Sequence, residues 1–223
     1  MKLQILHNWN LSPQEAIALQ RQLAAQVITD RPLDLNAIRL VAGVDVSVKD
    51  NHSQAAVVVL RYPELDVIET VRADQPTPFP YIPGLLSFRE GPVLVKAFEQ
   101  LVNIPDVFIF DGMGIMHPRR LGIASQMGLW LQRPTIGCGK TYFIGEYAEP
   151  SLEQGASSPL THKGDLIGAV LRTRAQVKPV FISPGHLCDL DSAITLTLRC
   201  TTRYRLPEPI RQAHHAAGQF ESP

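Results

Sequence analysis

No apolar run in this chain of 223 residues approaches the roughly 20 residues that a membrane-spanning helix needs. The opening stretch, MKLQILHNWNLSP, lacks the apolar segment and small-residue cleavage site of a secretory leader, so the cytoplasm is the expected compartment. Cysteine is scarce. Cys138, Cys188 and Cys200 stand far apart with no C-x-x-C pair, which argues against a disulfide framework or a cysteine zinc site. Net charge is also missing: 21 Lys and Arg balance 21 Asp and Glu, so bulk composition alone points to no polyanionic partner. Internal repeats and low-complexity tracts are absent. What remains, 45% hydrophobic and 19% charged, suffices for a substantial core, and the length fits one domain over residues 1–223, expected as a monomer.

The distribution of charge says more than its sum. Residues 111–140 hold Arg119, Arg120, Arg133 and Lys140 against Asp111, and residues 199–211 hold Arg199, Arg203, Arg205 and Arg211 against Glu208. Two such stretches are either ordinary solvated surfaces or a phosphate-binding face.

Ser12-Pro13-Gln14-Glu15 has the pattern of a helix start with a capping box, and Ala16, Leu19, Leu23 and Val27 share one face of a helix expected to end at Arg31-Pro32. Three strands follow, 38–48, 55–62 and 65–73, forming an antiparallel meander. Beyond the proline-rich break at 76–83 come a helix at 91–102, a short apolar strand at 106–111, a helix at 118–131 and a strand at 135–138. Segment 145–165 is rich in Gly, Ser and Pro and is expected to be a surface loop. Strands at 166–173 and 180–183 and helices at 191–201 and 208–217 complete the chain. The order gives an α/β fold, a mixed sheet of three antiparallel strands and then parallel ones, flanked by helices.

Three acids attract attention together more than singly. Asp45 lies within the strand pattern VAGVDVSV, where a carboxylate is costly to bury unless paired or bound to metal. Asp111 ends the apolar strand DVFIF, and ligands gather at the carboxyl ends of strands in α/β sheets. Glu90 follows the proline-rich break, on a loop leading into the next helix. Each alone has a bland reading: a salt bridge, a turn cap and a helix N-terminal acid. Two carboxylates on neighbouring strands plus a third make a hard-oxygen site of the kind Mg²⁺ takes, where the cation activates water and stabilises a leaving oxygen.

His117, before Pro118 and two arginines, is placed at a helix N-terminus, where it either caps the helix or meets phosphate or base. Lys140 follows the strand PTIGCG and can neutralise phosphate. His214 and His215 share the last helix, and one of them can position water or move a proton. In Phe79-Pro80-Tyr81-Ile82-Pro83-Gly84, prolines hold an aromatic–aliphatic pair on a stiff loop, either a buried tyrosine or a tip able to enter a base stack.

The strings VAGVDVS, PTPFPYIPGLLSFRE, FIFDGMGIMHPRRLGIAS, PTIGCGK and YRLPEPIRQAH, in that order across 41–214, resemble the endonuclease V family. The resemblance implies a ribonuclease H-like fold and Mg²⁺, with Mn²⁺ as a substitute, held by Asp45, Glu90 and Asp111. It implies active-site positions for His117, Lys140 and His214. Pro80, Tyr81, Ile82 and Pro83 match a strand-separating wedge. Gly84, Leu86, Gly112 and Ile123 match the neighbourhood of a base pocket, and Arg119 and Arg120 are expected at phosphates. Met113 departs from the polar residue that many relatives carry. The implied activity is DNA repair: recognition of deaminated bases, chiefly hypoxanthine, and hydrolysis of the second phosphodiester 3′ of the lesion to leave 3′-hydroxyl and 5′-phosphate ends. Inosine-containing RNA or structured DNA is the alternative substrate.

Overall fold

The computed structural model describes residues 1–219. Its frame is an eight-stranded sheet in the order β3-β2-β1-β4-β5-β8-β7-β6. The strands are β1 (Leu40–Lys49), β2 (His52–Arg61), β3 (Val67–Pro76), β4 (Val107–Phe110), β5 (Thr135–Gly139), β6 (Ser157–His162), β7 (Asp165–Leu171) and β8 (Val180–His186). The helices are α1 (Pro13–Ala24), α2 (Leu86–Glu99), α3 (Ile123–Leu131), α4 (Leu190–Arg199) and α5 (Glu208–Ala217). β1, β4 and β5 run parallel at the centre, with antiparallel β2 and β3 on one side. Antiparallel β8, β7 and β6 follow on the other side, so the strands beyond the meander are not all parallel.

The alternation along each central strand shows why the sheet is covered on both faces. Val41, Ala56, Val58, Val107, Ile109 and Ile136 join residues of α4 and α5 in one core. Ala42, Val44, Val57, Val59, Phe108 and Phe110 join residues of α2 and α3 in the other. A strand buried on both faces must be apolar at every position, as VFIF is.

Several boundaries differ from the sequence reading. α1 carries the expected capping box but stops at Ala24, before Val27-Ile28-Thr29, whose β-branched side chains disfavour continuation. α2 begins at Leu86, not Gly91, and takes Pro92 into its interior, so Glu90 projects from a helix and not from a loop. The helix expected over 118–131 begins only at Ile123. Residues His117–Arg120 form a turn in which Arg120 has φ +57° and its N–H donates to the His117 carbonyl over 2.9 Å, so His117 is not at a helix N-terminus. The expected loop 145–165 contains β6, an edge strand in which Ser158 and Leu160 are buried and Pro159 is exposed. Pairing with β7 supplies the order that local composition does not.

One close approach positions the last helix. A Cβ on Gly43 of β1 would lie 1.8 Å from the Pro209 carbonyl oxygen of α5, so backbone meets backbone there. Gly43→Ala must therefore push α5 off the sheet. We expect a loss of about 2 kcal/mol or more in urea-unfolding stability; an unchanged midpoint would contradict the packing described.

Candidate active site

The parallel register of β1 and β4 pairs Val44 with Phe110. The next residue on each strand is an acid, Asp45 and Asp111, and the Asp111 N–H donates to the Val44 carbonyl over 2.9 Å. The parallel ladder between β1 and β4 thus ends in two adjacent carboxylates, one within β1 and one just past β4. β5, parallel to β4, delivers Lys140 just beyond its own carboxyl end. α5 brings His214, whose Nδ1 is 2.7 Å from Asp45 Oδ2 and 3.2 Å from Lys140 Nζ. His215 turns away, its Nε2 2.9 Å from Gln219 Nε2.

Asp45, Asp111 and His214 each offer a ligand atom within 4.8 Å of the others. Glu90 stands outside that group but close enough to feel both aspartates. Burial, then the charges of Asp45 and Asp111, hold its carboxyl well above the usual range. Burial, followed by the Asp111 charge, raises Asp45 to about 6, against the opposing pull of His214 and Lys140. Lys140 Nζ is ion-paired with Asp111. One ammonium does not relieve the crowding, and the excess negative charge on hard oxygen donors is what a divalent cation fits.

A pocket of about 380 Å³ opens beside the carboxylates, with Asp111 and Lys140 in its wall. Gly84, Leu86, Gly112 and Ile123 all line it, as do Tyr81, Ile82, Pro83 and His117. The proline-flanked loop is pinned at both ends by buried Phe79 and Leu85, while Tyr81 at its tip is 69% exposed. Arg89 lies over the Tyr81 ring, 5.9 Å from its centroid.

Gly84 anchors this loop. Its φ of +80° suits glycine, and its carbonyl accepts from Arg119 Nη2 at 2.7 Å, His117 Nε2 at 3.0 Å and Gln20 Nε2 at 3.0 Å. Arg119 Nε also donates to Gln20 Oε1 over 2.6 Å. Burial, reinforced by Arg119, lowers His117 to about 4, so its ring is neutral. Nε2–H then donates to Gly84, and Nδ1 accepts the Arg119 backbone N–H at 3.2 Å. Arg120 binds the carbonyls of His117 and His162 and the Asp165 carboxylate, tying this turn to the β6–β7 hairpin. Arg119 and Arg120, expected at phosphates, are thus both engaged with the protein.

Sequence reasoning missed Gln20 and the far wall of the pocket, Thr141, Tyr142 and Phe143. The aromatic pair after PTIGCGK was a signal for the wall, whereas Gln20 on an amphipathic helix gave none. Met113 is also part of the wall: its side chain lies over Gly139, where a Cβ would meet its Cε at 2.3 Å.

The endonuclease V family model matches residues 21–215. The chain belongs to the endonuclease V family. It is 50% identical to endonuclease V of Dehalococcoides mccartyi (strain CBDB1) over 222 residues, which is 99% of each chain. The solved endonuclease V of Bacillus subtilis superposes with a TM-score of 0.92 at 32% identity, covering 97% of this chain and 95% of that one. Endonuclease V of Ciona intestinalis, in complex with a 24mer DNA containing an inosine followed by a ribo-adenosine, gives a TM-score of 0.81 at 27% identity over 92% of this chain and 95% of that one. The fold is accordingly ribonuclease H-like, and this endonuclease V is a nuclease.

The raised carboxyls set the sign of a pH effect. Asp45 and Glu90 keep their protons to higher pH in the native state than in the unfolded chain. Without cation, they therefore make stability fall as pH rises from about 4 through about 6 and beyond. A bound divalent cation reverses that penalty, so added cation should raise Tm more at pH 8 than at pH 5. Equal increments at both pH values would contradict the assignment.

Proposed function

We propose that the protein is a Mg²⁺-dependent DNA repair endonuclease, with Mn²⁺ able to replace Mg²⁺, that takes a deaminated base into the pocket and hydrolyses the second phosphodiester on its 3′ side. The observation that carries this reading is continuity: the pocket wall and the carboxylate cluster share Asp111 and Lys140, so a base held in one places its own strand across the other. The inosine-containing strand bound by the Ciona relative supports the choice of base.

Asp45 and Asp111 would hold the cation, with His214 and Glu90 beside them. When bound, the cation lowers the pKa of a water and neutralises charge on the leaving oxygen. Lys140, ion-paired with Asp111 at the pocket wall, is placed to meet a phosphate oxygen. His214, 63% exposed and beside Asp45, can orient water or move a proton. In the pocket, backbone N–H groups favour the carbonyl of hypoxanthine over the amino group of adenine, and a close wall excludes the extra 2-amino group of guanine. Tyr81 and Ile82 on their pinned loop fill the gap left in the stack.

Asp45→Ala or Asp111→Ala should reduce Mg²⁺-dependent nicking of an inosine-containing duplex by several orders of magnitude while binding to the lesion largely survives. Mutants that cut normally would refute the carboxylate assignment. Tyr81→Ala should lose more activity on duplex than on single-stranded inosine DNA, because only the duplex must be unstacked at a cost of a few kcal/mol. Equal loss on both would remove the wedge role.

A second substrate has a specific observation behind it: the strand bound by the Ciona relative carries a ribo-adenosine after the inosine. Cleavage of DNA and RNA oligonucleotides with a single inosine, measured side by side, separates the two readings.

A further inference from the structure

The second basic stretch takes no part in the chemistry above, yet its side chains converge. Arg203 and Arg211 lie over the Tyr204 ring, with Cζ 5.0 Å and 4.9 Å from its centroid. Glu208 holds Arg211 further, accepting from its Nε at 2.9 Å and its Nη2 at 2.6 Å. Arg205 Nη2 donates to the Lys140 carbonyl over 2.7 Å, and its buried Nε has no acceptor among the described residues. Tyr204, Arg205 and Arg211 line a second, more open cleft of about 480 Å³ with Lys140, Thr141 and Leu206. Lys140 and Thr141 also line the base pocket, so the two depressions share a wall, and Asp111 is ion-paired to that wall through Lys140.

We propose that this cleft binds the backbone of the cut strand just 3′ of the scissile phosphate, through Arg205 in its wall and Arg203 at its edge, with Tyr204 as the residue that positions the Arg203 guanidinium. The inference rests on the functional reading above. A strand whose base occupies the pocket and whose scissile bond lies at the carboxylates must continue past Lys140, and the cleft is what it meets there. Lys140, Arg205 and Arg211 line it, and exposed Arg203 stands at its edge on the Tyr204 ring, while the neighbouring carboxylate of Glu208 is already satisfied by Arg211. Stacking on a tyrosine ring fixes a guanidinium plane without neutralising it, which leaves its N–H groups for a phosphate. This also supplies the phosphate contacts that Arg119 and Arg120, bound within the protein, do not.

The test neutralises one phosphate at a time as methylphosphonate along the inosine strand and measures binding with Ca²⁺ to hold the strand uncut. In the wild type, neutralising one of the first two phosphates 3′ of the cut should weaken binding on the order of tenfold. Arg203→Ala should weaken binding similarly, lower the salt dependence of log K by about one, and abolish that position-specific penalty. Tyr204→Phe should behave as wild type, whereas Tyr204→Ala should reduce the penalty. A penalty that persists undiminished in Arg203→Ala, or coupling confined to phosphates 5′ of the lesion or on the complementary strand, overturns the proposal. The inosine-over-adenine preference of the wild type, read in the same titrations, reports on the base pocket separately, so failure of the cleft and failure of the functional reading are distinguishable.

Discussion

Two carboxylates forced side by side by strand register are the constraint to which the surrounding structure answers. Asp45 and Asp111 directly follow the last residue pair of the β1–β4 ladder and cannot separate without breaking the ladder that carries them. Unit charges within 4.8 Å repel by on the order of 3 kcal/mol at an effective dielectric of about 20. Around them stand Lys140 from the end of β5 and His214 from α5, each reaching one aspartate. The strain in charge is thus built into the fold and is relieved only partly by the protein. A site in that condition favours a cation and disfavours leaving it empty at neutral pH.

A second fixed point is the Gly84 carbonyl. Three donors from α1 and from the turn after β4 converge on it, with the His117 proton on Nε2 and its Nδ1 left to accept the Arg119 N–H, as a neutral ring does. The proline-flanked loop therefore carries an exposed aromatic tip on an anchored base. Rigidity at such a tip lowers the ordering cost of the wedge role proposed for it. The residues around Gly84 act by holding the loop and the pocket wall in one arrangement relative to the carboxylates.

Much of this was legible in the sequence, and the losses have physical causes. Asp45 and Asp111 stood out together, one inside an apolar strand pattern and one ending the next, although each alone had a bland reading. The mixed sheet followed from an antiparallel meander preceding alternating helices and strands. Glu90 was found but placed on a loop, because Gly91-Pro92 reads locally as a helix start while tertiary packing carries the helix through it. β6 was invisible because a short edge strand owes its order to its neighbour and not to its own composition. Most partners of Arg119 and Arg120 were unreadable for a different reason: apart from the His117 carbonyl they lie 35 to 99 residues away in the chain, at Gly84, Gln20, His162 and Asp165. A basic pair in a motif reveals its charge and conceals what that charge is bonded to.

The central claim is that Asp45 and Asp111 jointly grip a divalent cation against the strand to be cut. Anomalous diffraction from crystals grown with Mn²⁺ and an inosine-containing strand tests it most directly. The account predicts a Mn²⁺ peak within coordination distance of carboxylate oxygens from both aspartates and of a phosphate oxygen 3′ of the inosine. Mn²⁺ bound elsewhere, with Asp111 still ion-paired to Lys140, would contradict it.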